Sequence, residues 1–82
     1  MTERDPYLRA VGLRIKALRV RREVSQDQLA DTAGVSRVTL GSIERGEHAA
    51  QVLTYVKIAH ALACDVGDLL TERETLWPQA RA

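Results

Sequence analysis

Residues Ser25–Arg45, SQDQLADTAGVSRVTLGSIER, decide how this chain folds. They read as two short helices joined by a tight turn. Ser25, with Gln28 three residues later, fits a capping box in which each side chain satisfies a backbone N–H of the other's position. The first helix is predicted from Gln26 to Ala33. Gly34 follows, where a left-handed residue commonly ends a helix. Ser36 is a second N-cap and opens a helix from Arg37 to Arg45. Leu29, Ala30, Ala33, Val35, Leu40 and Ile43 recur at three- and four-residue steps, so each helix has one face to bury. Arg37, Val38, Gly41 and Ser42 fall largely off that face.

Two capped helices around a glycine-containing turn are the signature of a helix-turn-helix unit. A helical hairpin inside any small bundle obeys the same capping rules, but the spacing favours the DNA-binding arrangement. Outward from this unit, residues Pro6 to about Glu23 place Leu8, Val11, Ile15 and Leu18 at helical steps. This predicts an amphipathic first helix with Arg14, Lys16, Arg21 and Arg22 mostly outside and Arg19 at the edge of the apolar face. After the break at 46–51, Val52, Tyr55, Val56, Ala59 and Leu62 are expected to form the apolar face of a fourth helix, whose N-cap is weak. Cys64 reads as a small core filler, and His60 as a solvent-facing residue. Asp65 would cap a short fifth helix through Leu70, held by Val66, Leu69 and Leu70 because Gly67 weakens it.

The chain has 82 residues and a net charge of +1. The expected architecture is an all-α single domain, 1–82, of about five short helices, with the core at about 6–70 and a tail at 71–82. No run approaches the roughly 18 apolar residues that span a bilayer. The segment MTERDPYLRAVG lacks the apolar stretch of a signal peptide. Together with a lone cysteine, this points to the cytoplasm. Two histidines and one cysteine, unclustered, lead us to expect no metal and no cofactor. The basic residues are uneven: Arg14, Lys16, Arg19, Arg21 and Arg22 crowd into one stretch. Such a face can attract phosphate even on a near-neutral chain, but it equally suits a solvated helix surface.

The exposed face of the Arg37–Arg45 helix has residue types suited to base edges. Arg37 has a planar fork of donors matching guanine O6 and N7, and Val38 suits a thymine methyl. Ser42, four residues after Val38, can donate or accept. Gly41 costs about 1 kcal/mol relative to Ala in mid-helix, so its missing side chain would serve close approach to DNA. Phosphate contacts are expected from Gln26, Ser36, Thr39 and Arg45, which hold register without reading sequence.

Ser25-Gln26, Leu29-Ala30, Gly34-Val35-Ser36 and Ile43-Glu44-Arg45-Gly46 resemble the helix-turn-helix of the Xre/Cro/phage-repressor family. The resemblance covers about Val11 to Leu70. It implies a lambda-repressor-like fold, with helices 2 and 3 forming the DNA-binding unit and Arg37, Val38 and Ser42 at base-reading positions. It implies a pair between Arg19 and Glu44; exposed, the pair is worth under about 1 kcal/mol, and buried, losing one partner strands the other charge. It also implies a homodimer on an inverted repeat of double-stranded DNA, joined through helix 5 and the residues after it. Leu69, Leu76 and Trp77 are the candidates for that interface, with self-packing of the tail as the alternative. The Asn-Pro-Ser-like turn common before helix 4 is missing; Ala49, Ala50 and Gln51 stand there. An enzyme is disfavoured, because no nucleophile–base pair or phosphate loop is present. The stronger rival is an antitoxin or other protein-interaction module using the same fold.

Overall fold

The computed structural model describes residues 5–70. Five helices follow in order: α1 Pro6–Arg21, α2 Gln26–Ala33, α3 Arg37–Glu44, α4 Val52–Ala61 and α5 Val66–Leu70. No strand occurs among the described residues. The expected all-α architecture with helices 2 and 3 as the helix-turn-helix is what the chain adopts.

The helix starts follow from local chemistry. The Asp5 carboxylate accepts from the Tyr7 and Leu8 amides and so caps α1, with Pro6 behind it. Ser25 and Gln28 form the full capping box of α2. The Ser36 hydroxyl accepts from the Thr39 amide at the start of α3. No side chain caps α4; instead the Tyr55 hydroxyl accepts from the Ala50 amide and ties down the preceding turn.

The helix ends share one device. After each of α1 to α4 a residue turns left-handed: Glu23, Gly34, Gly46 and Ala63. The next amide in each case reaches back to a carbonyl five residues earlier, Val24 to Arg19, Val35 to Ala30, Glu47 to Ser42 and Cys64 to Ala59. These are Schellman closures. Two fall on glycine, which adopts positive φ freely, and two on Glu23 and Ala63, which do not.

The core gathers Val11 and Ile15 from α1, Leu29, Ala30 and Ala33 from α2, and Leu40 and Ile43 from α3. Tyr55, Ile58, Ala59 and Leu62 close it from α4, and Leu69 from α5. Two expectations need correction. Val52 and Val56 are exposed, and Ile58 is buried in their place. The segment VLTYVKIAHA has apolar residues on more than one side, so periodicity alone does not select its buried face. Leu69 is only 1% exposed, packed in its own core, so its side chain is not available to a second subunit. Leu76 and Trp77 lie outside the described residues.

Glycine allows a close helix crossing. A Cβ on Gly12 would stand 2.3 Å from the Ile43 carbonyl oxygen and 2.5 Å from that of Glu44. The α1 backbone thus lies directly on the end of α3. Gly46, just beyond α3, meets the Arg9 backbone on the same side. Arg22 donates through Nε to the Leu62 carbonyl, joining the end of α1 to the end of α4. That bond gives Arg22 a structural role, where its charge alone reads as solvated.

Cys64 sits half-buried against the core in the α4–α5 turn. Burial pushes its thiol pKa up, the Asp68 carboxylate adds to this, and the Arg22 guanidinium opposes it.

Candidate nucleic-acid interface

A buried network holds α3 at a fixed angle. Arg19 Nε donates to Glu44 Oε2 at 2.7 Å, and Arg19 Nη2 to Glu44 Oε1 at 3.1 Å. Gln26 Nε2 donates to Glu44 Oε1 at 2.9 Å, while Arg19 Nη1 donates to the Val24 carbonyl at 3.0 Å. Side-chain exposure is 12% for Arg19 and 2% for Glu44. The pair therefore belongs to the buried class, in which losing one partner strands the other charge. It links α1, the α1–α2 turn, the start of α2 and the end of α3.

With Leu40 and Ile43 pinned in the core, the opposite face of α3 points outward. Val38 is 75% exposed. Arg37 is exposed beside it, and Ser42, one turn after Val38, is half-buried. The structure thus puts Arg37 and Val38 at the surface of the first turn, with Ser42 deeper along the same helix. The Arg37 Nε lies 2.9 Å from Asp27 Oδ1, in an exposed ion pair.

Gly41 requires a correction. It is buried, not open to an approaching duplex. The nearest groups to a Cβ there are the Arg45 guanidinium, with Nη1 at 3.2 Å, and the Gln26 amide at 3.9 Å. Its missing side chain makes room for two groups expected to contact phosphate.

The backbone candidates divide by how their donors are used. The Ser36 hydroxyl donates to Thr39 Oγ1 at 2.8 Å while accepting from the Thr39 amide. Thr39 therefore keeps the hydroxyl proton that can reach outward. Gln26 has one amide hydrogen committed to Glu44 and one remaining. Arg45 caps the end of α3 and pairs through Nε with Glu47 Oε1 at 3.1 Å.

A cleft of about 400 Å³ opens where α1 crosses these elements, lined by Arg9, Leu13, Lys16, Gln26, Glu44 and Arg45. Three cationic side chains surround it, and Glu44 is already engaged by Arg19 and Gln26. Arg9 and Lys16 were not among the residues expected at the interface. A signal for them exists: they lie seven residues apart on one α1 face, and Lys16 precedes Arg19 by a single turn.

Comparison with known proteins matches this geometry. A family model described as helix-turn-helix, HTH_3, matches residues 15–69. The chain belongs to the helix-turn-helix family. Members are DNA-binding transcription regulators, not a group known as enzymes. The chain is 40% identical over 72 residues to the immunity repressor protein of Bacillus phage phi105, a match covering 88% of this chain and 49% of that protein. It thus spans about half the length of that relative. It is 36% identical over 59 residues to the control protein C.SmaI of Serratia marcescens, covering 72% of this chain and 70% of that one. Among solved structures, the restriction-modification controller protein C.AhdI of Aeromonas hydrophila superposes with a TM-score of 0.74 at 32% identity. That match covers 76% of this chain and 94% of the other. SinR, the master regulator for biofilm formation, solved in complex with DNA, gives 0.71 at 34% identity, covering 74% and 98%. No helix among the described residues is long and apolar enough to cross a membrane.

Proposed function

We propose that this helix-turn-helix chain is a sequence-specific transcriptional regulator that binds an inverted-repeat operator as a homodimer in the cytoplasm. The observation that carries it is the outward first turn of α3. There an exposed arginine and a valine 75% exposed stand on a helix clamped from behind by a buried ion pair. An isolated large apolar side chain in that place serves no core; it fits a thymine methyl in the major groove.

In this reading α3 enters the major groove by its N-terminus while α2 lies across the phosphate backbone. Arg37 reads guanine, Val38 a thymine methyl, and Ser42 a neighbouring edge. Thr39, the second amide hydrogen of Gln26, and Arg45 hold phosphates on the two sides. Arg9 and Lys16 extend the phosphate track along α1. The exposed apolar residues Val52, Leu53 and Val56 on α4 supply a described surface for a second copy, with Leu76 and Trp77 as further candidates. Two α3 helices about 34 Å apart would then meet successive major grooves on one side of the duplex.

The test is a genome-fragment binding selection with the purified protein at two salt concentrations. Recovery of an inverted repeat supports the reading. Binding without sequence preference that vanishes as salt rises would leave phosphate attraction alone. The same exposed α4 row favours a second reading, a protein-partner module such as an antitoxin. A chain that selects no DNA site, and is monomeric by sedimentation until a protein partner is added, would establish that one instead.

A further inference from the structure

The ion pair between Arg37 Nε and Asp27 Oδ1, 2.9 Å apart, is not explained by packing. Both side chains face solvent, Arg37 at 62% exposure and Asp27 at 78%. A pair so exposed contributes little to the stability of the fold. An acidic residue in the first turn of α2 is favoured by the helix dipole, which accounts for Asp27 but not for its partner. That partner lies ten residues away, across the turn, on the helix that reads DNA.

We propose that Asp27 is a positioning residue for base recognition: its carboxylate draws the guanidinium of Arg37 toward the start of α2 and so restricts the directions from which the arginine fork can meet guanine O6 and N7. The inference rests on the reading of Arg37 as a base-contacting residue. A guanidinium has one N–H on Nε and four on its terminal nitrogens. Asp27 acts on the guanidinium as a nearby charge, so these N–H groups remain available to the base. A free arginine of this length samples many rotamers and loses them on binding. The carboxylate restricts that search before DNA arrives.

The same carboxylate acts on wrong sites. Without guanine in reach, Arg37 would otherwise swing to the nearest phosphate. Asp27 competes for it there and repels the phosphate itself. Asp27 therefore lowers affinity for non-cognate DNA while sharpening choice at one base pair.

The experiment uses the full chain and its selected operator, titrated against every single-base variant. Arg37→Ala should abolish a preference of about five- to hundredfold at one base pair per half-site. Asp27→Asn should reduce the preference at that same base pair by about two- to fivefold. It should leave other positions unchanged and raise affinity for non-cognate DNA. If Arg37→Ala relaxes one position and Asp27→Asn leaves it intact, Asp27 does not position the arginine. Asp27→Asn lowering the melting temperature and weakening all sites equally would reduce Asp27 to a helix-dipole residue. If Arg37→Ala relaxes no position, the base-reading role of Arg37 fails and the proposal falls with it.

Discussion

Replacing Arg19 with methionine tests how α3 is held. The substitution keeps most of the apolar stem and removes the guanidinium. Glu44, with its side chain 2% exposed, then keeps one partner, the Gln26 amide at 2.9 Å. Breaking a buried pair from one side costs about 3–5 kcal/mol. Arg19 itself is 12% exposed, so some water already reaches the pair and the lower end applies, about 3 kcal/mol. An 82-residue domain has about 4–12 kcal/mol in total. The loss is therefore a quarter of the stability at least, or a fall of about 12–24 °C in Tm at about 4–8 °C per kcal/mol. Glu44→Gln should cost less. It strands a guanidinium that is more exposed, more weakly hydrated and still bonded to the Val24 carbonyl at 3.0 Å. The double variant Arg19→Met, Glu44→Gln removes both charges together and should cost clearly less than the two single costs added. Urea unfolding followed by circular dichroism, with m-values compared, measures the parent chain and the three variants that complete the cycle. A cost under about 1 kcal/mol for Arg19→Met would mean the pair behaves as a surface one. Additive single costs in the double variant would equally refute the coupling.

Gly12→Ala should destabilise by about 1–3 kcal/mol despite alanine's better helix propensity, because its Cβ meets backbone oxygens of Ile43 and Glu44; an unchanged urea midpoint would contradict that close crossing. Ala63→Gly should stabilise by about 0.5–1 kcal/mol, since Ala63 sits at φ 58°; a lower midpoint would count against it. The Cys64 thiol is pushed up chiefly by burial, so its alkylation rate should rise with pH along a curve displaced to higher pH than in the urea-unfolded chain. The folded state therefore holds that proton more tightly, and stability falls as pH rises through the thiol range; a coincident or lower curve would remove the effect. Lys16→Ala should flatten the slope of log affinity against log salt by about 1 without altering base preference, and an unchanged slope would take α1 out of the phosphate track.

The part of the fold legible in the sequence was local. Ser25, Gln28, Gly34 and Ser36 each act on a backbone group within a few residues, so their roles follow from spacing alone. The illegible part depends on partners far along the chain. Arg22 reads as a surface charge until the Leu62 carbonyl, 40 residues on, is beside it. Gly12 gives no local signal for its role, which appears only where the end of α3 lies against it. Gly41 reads as an opening toward DNA until Arg45 folds over it. The buried face of α4 depends on which apolar stripe the other helices cover, and Leu69 on the same competition. Glu23 and Ala63 give no propensity signal for the left-handed region; the Schellman closures place them there.

The division has a consequence for specificity. The α3 helix is eight residues long, too short to be stable alone. Its angle is therefore set from outside, by Gly12, Gly46 and the Arg19–Glu44–Gln26 network. Among the described residues Arg37 and Val38 add nothing to that scaffold: one pairs with exposed Asp27, the other stands in solvent. The residues proposed to read DNA are thus separable from the residues that hold α3. Exchanges at 37 and 38 should move base preference while leaving the unfolding midpoint nearly fixed, since exposed substitutions away from structural features stay within about 0.5 kcal/mol. Asp27 is the exception to that separation. It sits on α2 and is itself exposed, yet it constrains the arginine on α3. A new residue at position 37 that lacks a cation would leave the exposed Asp27 carboxylate without this partner. An exchange at position 37 should therefore bind its new site more tightly when Asp27 is replaced as well.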